Sequence, residues 1–89
     1  MTIKQLRYFI TVADCENVTK AAKICNVTQP TISLQIKVLE KSLGVQLLKH
    51  RSGRGNDLVV TEIGESVLKQ ARNVLLESSK ITELINKNR

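Results

Sequence analysis

The 89-residue sequence predicts a small, mainly α fold made of three helices, a two-stranded hairpin and one long final helix. Three observations predict it. Apolar residues recur at three- and four-residue spacing through separate stretches, which is the pattern of amphipathic helices. A single Tyr, a single Phe and no Trp leave the core to Leu, Ile, Val and Ala, a set that suits packed helices better than a β-sandwich. Two short β-prone runs, "VQLLKH" and "DLVVT", flank "RSGRGN", whose glycines and Asn supply hairpin turn chemistry.

The elements follow in chain order. Ile3, Leu6, Phe9, Ile10 and Ala13 form one apolar stripe, predicting a first helix from about Ile3 to Ala13 with Thr2 as its N-cap. A shorter helix is expected from Val18 to Ile24, capped by Asn17, with Ala21 and Ala22 as a small face for close packing. Asn26 tolerates the left-handed backbone that a tight turn after this helix demands. Thr28 caps a third helix, Gln29 and Pro30 fill its first turn, Ile32, Ile36, Leu39 and Leu43 face inward, and Gly44 ends it. After the hairpin, Thr61 caps the longest helix, with Glu62 and Glu65 in its first turn where carboxylates complement the helix dipole. Along that helix Val67, Ala71, Val74, Ser78, Ile81 and Ile85 alternate steps of four and three, a heptad seam that wants a partner helix. Leu68, Leu75, Leu76 and Leu84 widen the apolar surface, so part of the helix is expected to pack on its own domain.

Composition narrows the function. The formal charge of +6 suits a polyanionic partner, and net positive charge is greatest in the middle third of the chain. No apolar run approaches the roughly 18 residues of a membrane span, and "MTIKQLRYF" lacks the layout of a signal peptide, so the chain reads as soluble and cytoplasmic. Cys15 and Cys25 lack metal-ligand or redox spacing and read as buried, reduced thiols, with His50 too far along the chain to join them. No metal or cofactor is expected. Neither a nucleophile with a base partner at a telling spacing nor a Gly-rich phosphate loop after a strand is present, so catalysis is not expected.

The stretch "TQPTISLQ" carries the functional reading. It places small or amide side chains at Gln29, Thr31, Ser33 and Gln35, where a helix built only for packing would gain from Ala or Leu. Gln bonds adenine N6 and N7, Ser and Thr bond bases or phosphates, and a Thr methyl touches a thymine methyl in the major groove. Pro30 stiffens the helix start without leaving an orphan donor. The same polar turn also serves ordinary capping. Lys37, Lys41, Lys49, His50, Arg51 and Arg54 gather basic charge nearby, where phosphate contacts would supply salt-sensitive affinity.

Taken together, "LRYFITVAD", "VTKAAKICNVTQPTISLQIKVLEKSLGVQLL" and "LVVTEIGE" resemble the N-terminal region of LysR-type transcriptional regulators, whose hallmarks are an Ala-Ala pair, a Ser/Thr-Gln-Pro step and a Leu-Glu-x-x-Leu-Gly ending. The similarity spans essentially the whole chain. The resemblance implies a winged helix-turn-helix over residues 1–60, three helices plus a two-stranded β wing, followed by a linker helix over 61–89 that pairs in a homodimer. It further implies a partner in promoter or operator double-stranded DNA, and a C-terminal domain absent from this chain through which the full-length protein binds a small-molecule effector and tetramerises. Positions matching Gln29, Pro30, Thr31, Ser33 and Leu34 meet the major groove in the family, and Gln35 and Lys37 extend that surface, with Lys49, Arg51 and Arg54 approaching the backbone or minor groove. Two departures stand out. Leu34 occupies a place where many relatives carry Arg or Lys, and the wing is longer than usual, with Arg54 preferred over Arg51 for its groove contact. The rival reading is a protein-interaction module that uses the amphipathic final helix.

Overall fold

In the computed structural model, residues 1–51 and 55–89 are described. Their order is α1 (Ile3–Cys15), α2 (Val18–Cys25), α3 (Gln29–Leu43), β1 (Leu48–His50), β2 (Leu58–Val60) and α4 (Glu62–Lys87). The helix boundaries follow local hydrogen bonding. Thr2 Oγ1 accepts from the Gln5 N–H at 3.0 Å while Gln5 Oε1 accepts from the Thr2 N–H at 3.1 Å, a reciprocal box that satisfies two orphan donors of α1. Asn17 accepts from the Lys20 N–H at 2.9 Å to start α2, and Thr28 accepts from the Thr31 N–H at 3.3 Å to start α3. Asn26 sits at φ 57° and Gly44 at φ 74°, each turning the chain sharply out of its helix.

The three-helix core forms around α1, which packs on α2, α3 and α4. Phe9, Val12, Ala21, Ile32, Leu39 and Leu47 are fully enclosed. The α1 stripe read from the sequence is corrected: Tyr8, Val12 and even Gln5 are buried, while Ile3 is 38% exposed and Ile10 and Ala13 lie at the core's margin. With partners on several sides, α1 buries a wider arc than one amphipathic stripe. Leu43, expected to face inward, is likewise 37% exposed.

The hairpin is antiparallel, pairing Leu48 with Val60, Lys49 with Val59 and His50 with Leu58. Its root is stitched to the turn between α1 and α2. Asn17 forms a bridge to Asp57, the Leu58 N–H donates to the Glu16 carbonyl at 3.0 Å, and the Val18 N–H donates to the Asn56 carbonyl at 2.9 Å. On the other side Glu40 of α3 accepts from the backbone N–H groups of Leu47 and Leu48, at 2.7 and 3.2 Å, so a carboxylate fixes where β1 leaves the helix.

Thr61 joins wing to α4. Its N–H donates to the Leu47 carbonyl at 2.9 Å, its hydroxyl donates to the Gln46 carbonyl at 2.7 Å, and the same oxygen accepts from the Gly64 N–H at 3.0 Å. The 26 residues of α4 would span about 39 Å at 1.5 Å per residue, long enough to leave the core behind. Only its first half packs, through Leu68 and Ala71 with Val67 and Leu75 at the margin.

Candidate nucleic-acid interface

Three side chains on α3, Gln29, Ser33 and Lys37, are spaced four apart and therefore lie along one face of the helix. That face lines a groove of about 350 Å³ whose opposite wall is the hairpin, including His50 and Leu58. Gln29 and Ser33 of the expected reading head and the hairpin thus open onto one surface, with His50 the basic hairpin residue that lines it among those described. Glu40 lies in the groove too, but its carboxylate is committed to the Leu47 and Leu48 N–H groups.

The individual groups differ in what they offer. Gln29 is half-buried and its Nε2 donates to Ser33 Oγ at 3.1 Å, which leaves the Gln29 side-chain oxygen, its second amide N–H and the Ser33 hydroxyl proton uncommitted. Pro30, Thr31, Leu34 and Lys37 are exposed, Leu34 to 59%. The Thr31 hydroxyl shares a hydrogen bond with Thr28 Oγ1 at 2.8 Å, so it is partly spent on the helix start. Gln35 lies on the opposite flank of α3, half-buried, its Oε1 accepting from Gln5 Nε2 at 3.0 Å. The outer face of α3 is therefore less polar than "TQPTISLQ" suggests, with Leu34 and the 45% exposed Val38 on it.

Basic groups around the wing are also placed. Lys49 is exposed on β1. Arg51 is exposed but not a free cation: its Nη2 donates to Glu16 Oε2 at 2.5 Å, across the root of the hairpin. Both partners are about half exposed, so the pair is weak and yields readily to a stronger anion. Arg54, the preferred wing contact, lies outside the described residues.

The heptad seam of α4 divides. Ala71 is 2% exposed inside the protein's own core, so it is corrected: it belongs to the contact with α1, not to a surface a second chain can reach, while Val67 is half-buried at the margin of that core. Val74, Ile81 and Ile85 are 39%, 65% and 55% exposed, and Ser78 is half-buried. At 3.6 residues per turn these four line one face, roughly a quarter turn round from Gly64, Leu68, Ala71 and Leu75. The sequence pattern merged two adjacent stripes into one. Arg72 marks the edge of the inner stripe, donating to both oxygens of Asp14 at 3.3 and 2.5 Å, and that hydrogen bonding holds its guanidinium pKa above the ordinary value.

Gln5 and Glu40 carry structural weight that the sequence reading passed over. Gln5 had a signal, since Gln three residues after an N-capping Thr is a capping-box pattern. Glu40 had its place in the Leu-Glu-x-x-Leu-Gly hallmark, but no spacing reveals its role, because its partners lie seven and eight residues on, beyond a helix end. Among the described residues no cluster of His, Cys, Asp and Glu is set to hold a metal ion, and no helix is long and apolar enough to cross a membrane.

Residues 3–65 match the family of bacterial regulatory helix-turn-helix proteins of the lysR type. The HTH-type transcriptional regulator TcbR of Pseudomonas sp. (strain P51) is 47% identical over 75 residues, covering 84% of this chain and 24% of that protein. A crystal structure of the CbnR DBD–DNA complex superposes with a TM-score of 0.89 at 34% identity, covering 99% of this chain and 98% of that one. A full-length OxyR variant from Pseudomonas aeruginosa superposes with a TM-score of 0.92 at 35% identity, covering all of this chain and 29% of that one. The chain spans about a quarter of the length of the curated relatives it matches.

Proposed function

This chain belongs to the LysR family of bacterial helix-turn-helix regulators, of which it is the DNA-binding domain, and on that premise we propose that it reads a promoter or operator sequence with α3 in the major groove and the wing on the adjacent backbone or minor groove. One observation carries the reading: Gln29, Ser33 and Lys37 face the same groove as the hairpin, so one approach of a duplex engages both. An α-helix fits the major groove, and Gln29 and Ser33 at its leading end meet base edges while Lys37 and Lys49 neutralise phosphates. Pro30, Thr31 and the exposed Leu34 supply apolar contact, Leu34 against a thymine methyl. Arg51 exchanges Glu16 for phosphate, and Arg54 serves the wing's groove contact.

The exposed Val74, Ser78, Ile81 and Ile85 face of α4 pairs with the same face of a second copy. Two recognition helices then address half-sites about one helical turn apart in an interrupted palindrome. In the longer protein that the relatives' lengths imply, the remaining domain binds a small-molecule effector and drives tetramerisation, and the whole acts in the cytoplasm.

Selection of bound sequences from a random DNA pool, followed by titration at two salt concentrations, tests this. Gln29→Ala or Ser33→Ala should cost about 1 to 3 kcal/mol on the selected site and little on random DNA, whereas Lys49→Ala should weaken both alike. Equal losses in all three variants would remove the recognition role of α3. A chain that enriches no sequence but binds a protein through α4 would be an interaction module instead.

A further inference from the structure

Gln35 is an ambidextrous side chain in principle, with a carbonyl oxygen that accepts and an amide nitrogen that donates. A chain of three hydrogen bonds removes that freedom. The Thr2 backbone N–H can only donate, and it donates to Gln5 Oε1 at 3.1 Å. The Gln5 side chain, 7% exposed and anchored also by its own N–H to Thr2 Oγ1, is thereby oriented with Nε2 away from the cap. That nitrogen can only donate, so the partner it meets at 3.0 Å is the Gln35 oxygen. The Gln35 N–H2 group is left with no partner among the described residues. Because no buried side-chain nitrogen or oxygen among them lacks a partner, this group reaches solvent on the α1 flank of the third helix.

We propose that Gln5 is a positioning residue that holds the Gln35 amide with its N–H2 outward, so that this point of α3 engages only hydrogen-bond acceptors on DNA. The inference rests on the DNA-reading role of α3 and sharpens it. A free Gln could bond adenine through both ends, as the sequence suggested for any Gln in this stretch. With its oxygen turned toward Gln5 Nε2, Gln35 cannot present both ends to one base. The acceptors within its chemistry are a phosphate oxygen or an acceptor atom of a base edge such as guanine O6 or N7.

Gln5→Glu reverses the polarity and keeps the capping box, in which Glu is a usual third residue, and thermal melts register the cost of enclosing its charge. Its carboxylate accepts from the Thr2 N–H and from the Gln35 N–H2, which turns the Gln35 oxygen outward. The experiment compares the parent chain, Gln5→Glu, Gln35→Ala and the double variant by selection from a random DNA pool and by binding to the parent's selected site and to random DNA, with thermal melts to show that each is folded. If Gln35 meets a base, Gln5→Glu should switch the preferred base at one position per half-site toward one bearing a donor, adenine or cytosine. If it meets phosphate, Gln5→Glu should lose roughly tenfold on all sequences, and that loss should vanish in the Gln35→Ala background. An unchanged site and affinity in Gln5→Glu, or a loss that persists without the Gln35 amide and so reflects only the added charge, would overturn the proposal. A parent chain that enriches no sequence would overturn the DNA reading and this inference with it, an outcome distinct from a parent that selects normally and a variant that matches it.

Discussion

Replacing Gly64 with Ala should destabilise this protein, although inside an ordinary helix the same exchange stabilises by about 1 kcal/mol. A Cβ at Gly64 would fall 2.3 Å from the Leu47 carbonyl oxygen and 2.7 Å from Val60 Cγ1. Val60 can rotate, but the carbonyl is main chain and is held by the Thr61 N–H at 2.9 Å. Relief requires α4 to withdraw from the Leu47 carbonyl by about 1 Å, the distance to ordinary contact. That withdrawal strains the Thr61 hydrogen bond, a loss of about 1 kcal/mol, and adds an overpacking cost of about 1 to 3 kcal/mol through Leu68 and Ala71. After the gain in helix propensity, the net loss is about 1 to 3 kcal/mol. For a domain of this size, this lowers Tm by roughly 5 to 20 °C. Circular dichroism melts and urea titrations at one fixed protein concentration measure it, the concentration being held because any self-association would shift Tm. Ser66→Ala, an exposed change in the same helix, serves as control and should melt at or slightly above the parent. A Gly64→Ala protein as stable as the parent would refute the close-approach argument.

Glu40→Ala should lose about 2 to 3 kcal/mol in the same melts, because it orphans two backbone donors beside the buried Leu47 and Leu48. Arg72→Ala, although it breaks a two-pronged pair with Asp14, should lose less than about 1 kcal/mol, since both partners are about half exposed and water screens them. Asn26→Val should cost about 1 to 2 kcal/mol and Asn26→Gly almost nothing, because the left-handed turn penalises a branched Cβ. Ile85→Asp should convert a dimer to a folded monomer in sedimentation without lowering monomer helicity, whereas a parent that sediments as a monomer would retire the α4 pairing.

Nearly every element was legible because its signals are short-range. Thr2, Asn17, Thr28 and Thr61 each cap a helix by accepting from an N–H three residues on, and Asn26 and Gly44 turn the chain by their own backbone freedom. Ile32, Ile36 and Leu39 face inward as their spacing requires. The candidate site was legible in its residue types and less so in what each group has left to offer. Hydrogen-bonding capacity depends on the partners already engaged, and no pattern along "TQPTISLQ" reveals that Ser33 receives Gln29 or that Gln35 receives Gln5.

The amino-acid order by itself therefore determined where helices start and stop, that the hairpin lies between the third and fourth, and that the charge is basic, since these follow from groups within a few residues of one another. Tertiary structure alone decided that Ala71 is enclosed while Ile85 is bare, that Arg51 is held by Glu16 across 35 residues, and that Gln35 shows its nitrogen because of a residue 30 positions earlier. The division has a physical cause. A cap is settled by the dihedral angles of one turn, whereas which side of a helix is buried, and which end of an amide is free, is settled only when a distant segment arrives beside it.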